Sequence, residues 1–263
     1  MSHEGSYFVR EDEHRFRPTP LTGGAWSTAE QHISPMNGLI VHAVERFVAE
    51  RGGDALAIGR ISVDILGVLD LEPFDLTVEV VRPGRTIELL EATVVSGGRP
   101  AVRARVWRTT VQDTAAVAGG AAEPLPGPEG LKVWPMTGVW PGAYVASLDV
   151  RQIGAAEPGR ARAWGSTAAT LVDGEHVSDL ARLIGLVDTA NGLAVRRPPE
   201  EWLFPNVDLT IHLFRTPSGP WLGLDTTVVF GPGGLGVTAT ALHDAEGHFG
   251  HAHQALTIRP RRA

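Results

Sequence analysis

Two stretches of the chain carry apolar residues at helical spacing, and each is followed by stretches in which apolar and polar residues alternate. In the first, Met36, Leu39, Ile40, Ala43, Val44, Phe47 and Val48 recur every three or four positions, the pattern of a helix with one buried face. Ser34 is a good N-cap, Pro35 suits the first helical position, and Gly52-Gly53 ends the run. In the second, Leu180, Leu183, Ile184, Val187 and Asn191 mark the stripe of one long helix. Ser178 caps it, Asp179 places a negative charge in its first turn, and Pro198-Pro199 stops it after Arg196 and Arg197.

The alternating stretches repeat as well. Ile61-Ser62-Val63-Asp64-Ile65 and Val207-Asp208-Leu209-Thr210-Ile211-His212-Leu213 both read as half-buried strands. After each come a strand, a Gly turn, a strand, a second Gly turn and a last strand. The turns are Pro83-Gly84 and Gly97-Gly98 in the first half, Gly231-Pro232-Gly233-Gly234 and Asp244-Ala245-Glu246-Gly247 in the second. Between the halves, residues 115–130 are small, rich in Gly and Pro, and without periodicity, as expected of a linker. The pattern predicts an α+β chain of two helix-on-sheet units, residues 1–114 and 131–263, packed side by side with their sheets continuous or nearly so.

Composition narrows the chemistry. The chain has 263 residues, enough for two units of ordinary domain size. It has no Cys, which removes disulfides, thiolate metal sites and a Cys nucleophile. A formal net charge of -7 argues against a nucleic-acid footprint. No apolar run of about 18 residues occurs, so no membrane span is expected. The start, with Glu11-Asp12-Glu13 close behind it, lacks the form of a signal peptide, and a cytoplasmic location follows by default. No Gly-Lys-Ser/Thr phosphate loop and no Gly-x-Ser-x-Gly nucleophile elbow is present.

Several polar residues fall where apolar ones are expected. Asp188 lies about 80 to 90° from the centre of its helix's apolar stripe, at the edge of burial, where an acid needs a partner or a wet cavity. Gln254 shares strand parity with Ala252, Leu256 and Ile258, so its amide must find partners on an apolar face. Asn206 shares parity with Asp208, Thr210 and His212, and only a bulge or its place at the strand start would re-aim it. His32 precedes the first helix, either lining a substrate entrance or bonding within a capping loop, the latter being the commoner role. His243, His248, His251 and His253 crowd the last hairpin; His251 and His253 share a face, but two ligands without a third make a solvated hairpin tip the better reading than a metal site. Arg99, Arg103 and Arg105, with Trp107, share a strand face that reads as solvated more readily than as a phosphate site.

Four places in this pattern resemble the acyl-CoA thioesterase II group and its thioesterase-like relatives. They are Gly24-Ala25-Trp26 through Gln31-His32 into the helix ending Ala43-Val44-Glu45-Arg46; Ser147-Leu148-Asp149-Val150-Arg151 with the strand around Trp164; Leu183-Ile184-Gly185-Leu186-Val187-Asp188; and Asn206-Val207-Asp208 through Phe214-Arg215 to the closing strand with Gln254. The resemblance covers nearly the whole chain. It implies a double hotdog: two antiparallel sheets, each wrapped on a central long helix. It implies acyl-CoA hydrolysis without cofactor, metal or covalent intermediate, in lipid metabolism, by a chain that commonly assembles further as a homo-oligomer. In the family an Asp, a Thr and a Gln of the second half position the attacking water. The Asp falls on Asp188 with a one-residue adjustment, whereas an ungapped match on Gly185 and Asn191 reaches Thr189. The Thr falls on Asn206, a departure, and the Gln falls on Gln254. A second departure is Ile33-Ser34, where relatives commonly have Gly-Gly after the His32 position.

The same residues bear on the competing readings. A hotdog hydratase carries an Asp and a His about five residues apart at the start of its helix, and neither helix here offers that pair. A non-catalytic acyl- or CoA-binding protein remains the alternative to the thioesterase. One active site rather than two is expected, because no carboxylate of the first helix before Glu45 copies Asp188, and turn-to-turn alignment sets Arg105 opposite Gln254.

Overall fold

The computed structural model describes residues 5–261. The first half runs β1 (Ser6–Arg10), β2 (Arg15–Pro18), α1 (Ile33–Glu50), β3 (Leu56–Ile65), β4 (Phe74–Arg82), β5 (Ile87–Ser96) and β6 (Arg99–Thr110). The second runs β7 (Lys132–Val133), α2 (Ala143–Ala146), β8 (Leu148–Gln152), β9 (Arg160–Thr167), β10 (Thr170–Val172), α3 (Asp179–Ile184), α4 (Ala190–Leu193), β11 (Trp202–Leu203), β12 (Asp208–Leu213), β13 (Leu222–Phe230), β14 (Leu235–Asp244), β15 (Gly247–Thr257) and β16 (Arg259–Pro260).

The two expected sheets are one. Fourteen strands form a single sheet in the order β10-β1-β2-β4-β5-β6-β3-β12-β15-β14-β13-β9-β8-β7. The halves join at β3 and β12, an antiparallel pair that sets Ile61 opposite Ile211 and Val63 opposite Leu209, all four buried. Continuity satisfies backbone groups that two separate sheets would leave at facing edges. Every pair is antiparallel except β1 with β10, where a second-half strand extends the first-half edge. The sheet curves enough to bring its far regions together: Tyr7 of β1 bonds Ser147, just before β8, at 2.6 Å, and Thr167 at the end of β9 at 3.1 Å.

The concave face holds the helices. Met36, Leu39, Ile40 and Val44 of α1 are fully buried, as their spacing predicts, and so is Val41, which lies off that stripe. The helix begins two residues earlier than the Ser34 cap implies. His32 is the N-cap, its Nδ1 accepting the Ser34 N–H at 3.1 Å, and Pro35 sits in the first turn, where a missing N–H costs nothing. Gly52 and Gly53, at φ 97° and 69°, close the far end by bonding back to Ala49 and Val48.

The second helix differs most from expectation. The predicted long helix is broken into α3, a 3-10 turn over Val187–Thr189, and α4. The cause lies in its packing on α1. Gly38 and Gly185 face each other so closely that a Cβ on Gly38 would stand 2.6 Å from the Ala181 carbonyl oxygen and 2.9 Å from the Gly185 Cα. The close approach needs glycine at position 38, and Gly185 opposite it is a poor residue for continuing a helix.

Residues 115–130 form no strand, and their one regular turn is a 3-10 turn at Ala115–Val117. The segment is fastened to the second half: Trp164 donates to the Pro126 carbonyl at 2.6 Å, and the Ala122 N–H donates to His248 Nδ1 at 2.9 Å. Among the described residues no helix is long and apolar enough to cross a membrane.

The glycine contact gives a stability test. Gly38→Ala forces α1 from α3 and should cost about 1 to 3 kcal/mol in urea unfolding, although alanine favours helix in isolation. A variant as stable as the wild type would show that the helices separate freely.

Candidate active site

The break after α3 decides where Asp188 goes. A 3-10 turn advances the chain faster per residue than an α-helix. Asp188, placed by a continuous helical wheel at the margin of burial, ends only 5% exposed. Asn206 stands just before β12, bridged to Leu256, so the strand start re-aims its side chain and no bulge is needed. Gln254 lies mid-strand in β15 on the concave face, 2% exposed.

The three converge. Asn206 Nδ2 and Gln254 Nε2 both donate to Asp188 Oδ1, each at 2.7 Å. Asn206 Nδ2 also donates to the Asp208 carbonyl at 3.0 Å, which fixes the amide's direction. Both amides use Oδ1, so Oδ2 is left to neither. Desolvation raises the Asp188 pKa to about 7; the two amide donors oppose that rise, and the nearby Asp208 charge adds to it. Among the described residues, no Lys or Arg charge acts on the carboxylate to hold it ionised.

Asp188 and Asn206 line a cavity of about 320 Å³ between the halves. The first half contributes Gly24 to Ser27, Glu30 to Ile33 and the loop Ile65 to Leu69; the second contributes Met136, Trp140, Tyr144, Val145, Asp188, Thr189, Asn191, Gly192, Pro205 and Asn206. His32 lines this cavity and caps α1 as well. Its ring packs on Tyr144 with centroids 4.3 Å apart, and burial pushes its pKa down to about 4. Because Nδ1 accepts a hydrogen bond, the neutral ring carries its proton on Nε2. Tyr144, bonded to Thr189 Oγ1 at 2.8 Å, has its phenol pKa raised by burial. Thr189, the residue reached by ungapped matching, thus serves Tyr144, and the adjacent Asp188 meets the two amides. Tyr144, Trp26 and Trp140 escaped the sequence reading, because apolar pattern alone does not separate cavity walls from core.

The first half holds no second copy of this cluster. Three residues beyond Gly185 stands Asp188; three beyond its packing partner Gly38 stands Val41, fully buried. Where β15 turns Ala252, Gln254 and Leu256 inward, β6 turns Val102, Ala104 and Val106 inward. Arg105 is therefore not the counterpart of Gln254: it faces outward and pairs with Glu91 at 2.9 Å, as Arg103 does at 3.4 Å. Turn-to-turn alignment missed by one residue, which in a strand exchanges the faces.

The hairpin histidines also divide by face. His251 and His253 are exposed, but His243 and His248 are buried, stacked at 5.1 Å, so the tip is only partly solvated. No group of three or more His, Cys, Asp or Glu positioned to hold a metal occurs among the described residues.

Comparison with known proteins accords with this arrangement. Residues 22–109 match the acyl-CoA thioesterase N-terminal domain, and residues 123–258 match the acyl-CoA thioesterase C-terminal domain. No curated protein sequence matches the chain. Among solved structures, a conserved hot dog fold protein of unknown function from Alicyclobacillus acidocaldarius superposes with a TM-score of 0.76 at 12% identity, covering 100% of this chain and 99% of that one. An acyl-CoA thioesterase II from Mycobacterium marinum gives 0.64 at 16%, covering 97% and 96%. The tesB protein of Mycobacterium avium subs paratuberculosis gives 0.62 at 17%, covering 96% of each chain. At such identities these structures speak for the fold, and the matched domains speak for descent: the chain belongs to the acyl-CoA thioesterase family.

Proposed function

We propose that this protein hydrolyses an acyl-CoA thioester to the free acid and CoA, at one site, with Asp188 as the base. The observation that carries the reading is a buried carboxylate on a cavity wall, held at one oxygen by two amides and titrating near neutrality. A carboxylate serving only structure would be paired with a cation or left ionised in solvent. Here the pKa suits proton transfer at physiological pH.

In this mechanism Asn206 and Gln254 fix the carboxylate through Oδ1, and Oδ2 takes a proton from water in the cavity. The water oxygen bonds to the thioester carbonyl carbon, the carbon–sulfur bond then breaks, and the CoA thiolate departs to be protonated in solvent. A thiolate leaves readily, so no strong general acid is required. His32, neutral and half-buried, lines the substrate's path. The amide of Asn206 supplies the donor that the family's Thr gives as a hydroxyl. We further read the chain as a double hotdog of units 1–114 and 131–263 joined by 115–130; one family match in each half supports it. Acyl-CoA metabolism in the cytoplasm, by a possible homo-oligomer, is the setting this reading implies.

Steady-state release of free thiol from an acyl-CoA panel tests the activity. Asp188→Asn keeps shape and removes basicity, so kcat should fall by about 10²-fold or more with the fold intact. Gln254→Ala should cost less, and Asn206→Thr should retain or raise activity. A wild-type rate in Asp188→Asn would remove Asp188 from catalysis, and no thiol release by the wild type would favour a binding protein.

The pKa of Asp188 makes two pH predictions. The base works ionised, so kcat should rise with pH through about 7. A profile flat from pH 5 to 9 would contradict this assignment.

Stability should run the other way. The folded pKa of about 7 lies above the unfolded carboxyl value, so between these the folded chain holds a proton that the unfolded chain has lost. Stability from this group is therefore full at low pH and falls as pH rises toward 7, by up to about 4 kcal/mol. Asp188→Asn should thus melt above the wild type at pH 8, the gap closing toward pH 4; an equal gap at both would show that ionisation is not the cause.

A further inference from the structure

The cavity is graded from mouth to floor. Leu66 and Val68, 55% and 67% exposed, stand at its rim. Met136, Trp140, Tyr144 and Val145, all 5% exposed or less, form its floor. Trp140 is fixed there. Its Nε1 donates to the Gly192 carbonyl at 2.9 Å, tying the segment before α2 to α4. Its ring packs edge-on against Trp26 at 4.9 Å and against Phe204 at 5.8 Å, and Phe204 packs in turn on Trp26 at 5.1 Å. An indole held by one hydrogen bond and two ring contacts does not swing aside for a longer ligand without losing all three. Gly192 fits this arrangement, since a Cβ there would stand 3.2 Å from the indole nitrogen.

The volume sets the scale. About 320 Å³ lies at the lower end of small-molecule sites, which run from about 300 to 1,000 Å³. At about 30 Å³ for a unit the size of a water or a methylene, it holds about ten such units. The thioester carbon, oxygen and sulfur take three, which leaves room for about seven carbons beyond the carbonyl. The floor, Met136, Trp140, Tyr144 and Val145, is mostly apolar, and Asp188 is reserved for the reaction proposed above.

We infer that Trp140, braced by Trp26 and Gly192, is the specificity-determining floor of the acyl cavity, and that the substrates are short- to medium-chain acyl thioesters of up to about eight carbons. The inference rests on the proposed hydrolytic reading of this site. Longer chains meet the indole before the carbonyl reaches Asp188, so they lose productive binding and not merely contacts.

The test is the length profile of kcat/KM for full-length protein on butanoyl-, hexanoyl-, octanoyl-, dodecanoyl- and hexadecanoyl-CoA. The wild type should peak at hexanoyl or octanoyl and fall about 10-fold or more at dodecanoyl. Trp140→Leu should raise the dodecanoyl-to-octanoyl ratio about 10-fold or more, by opening the floor. Val145→Phe, which fills the same floor, should move the peak down to butanoyl or hexanoyl, and it tests the idea even if Trp140→Leu fails to fold. A wild type that takes hexadecanoyl as well as octanoyl, or a profile unmoved in either folded variant, overturns the inference and leaves hydrolysis standing. If no thioester is hydrolysed, the proposed activity fails instead. The floor is then judged by calorimetry with non-hydrolysable thioether analogues of the same series: tightest binding at the octanoyl analogue supports it, and affinity still rising to hexadecanoyl refutes it.

Discussion

The contact of Gly38 with Gly185 is the constraint on which the rest of the structure depends. Two helices whose backbones touch draw both halves of the sheet around one narrow core, and β3 then meets β12 as a neighbour instead of an exposed edge. The same contact ends α3 and hands the chain to a 3-10 turn, whose second residue is Asp188. A side chain on Gly38 would part the helices, and the turn carrying the carboxylate would move with them.

Burial of that carboxylate opposes stability. Removing a charge from water is costly, and two neutral amide donors do not offset the cost as an arginine would. The raised pKa of Asp188 expresses the imbalance. Elsewhere the chain handles buried charge differently: Glu88 meets Arg108 at 2.6 Å and Arg51 at 2.8 Å, and Glu175 gathers Arg10, His42 and Arg46, with its pKa depressed to about 2 although desolvation alone would raise it. Those acids meet cations, whereas Asp188 is given only amides.

The two halves share a frame but not the cluster around Asp188. Both halves keep the meander and the Gly turns, whereas the helix is continuous only in the first, and Val41, Ala104 and Val106 leave that half without a copy of Asp188 and Gln254. The first half instead supplies walls. The residues before α1 and the loop after β3 form one side of a cavity whose other side carries Asp188 and Asn206. Either half alone would leave the site open to water on that side.

The apolar periodicities by themselves determined much of this: α1, the paired meanders, and the anomaly of Asp188 and Gln254 on otherwise apolar faces; composition marked 115–130 as a stretch without strands. These are local properties, written in spacing and parity. The break of the second helix was not legible, because Gly185 is tolerable in a helix until Gly38 is pressed against it. The direction of Asn206 was not legible either, since strand parity holds only inside a strand and Asn206 stands two residues before β12. Arg105 was matched to Gln254 because counting from turns does not register the one-residue shift that exchanges the faces of a sheet. The cavity, its Trp26–Trp140 floor and the elevated pKa of Asp188 belong to the tertiary structure alone: each is produced by residues far apart in sequence excluding water from the same small volume.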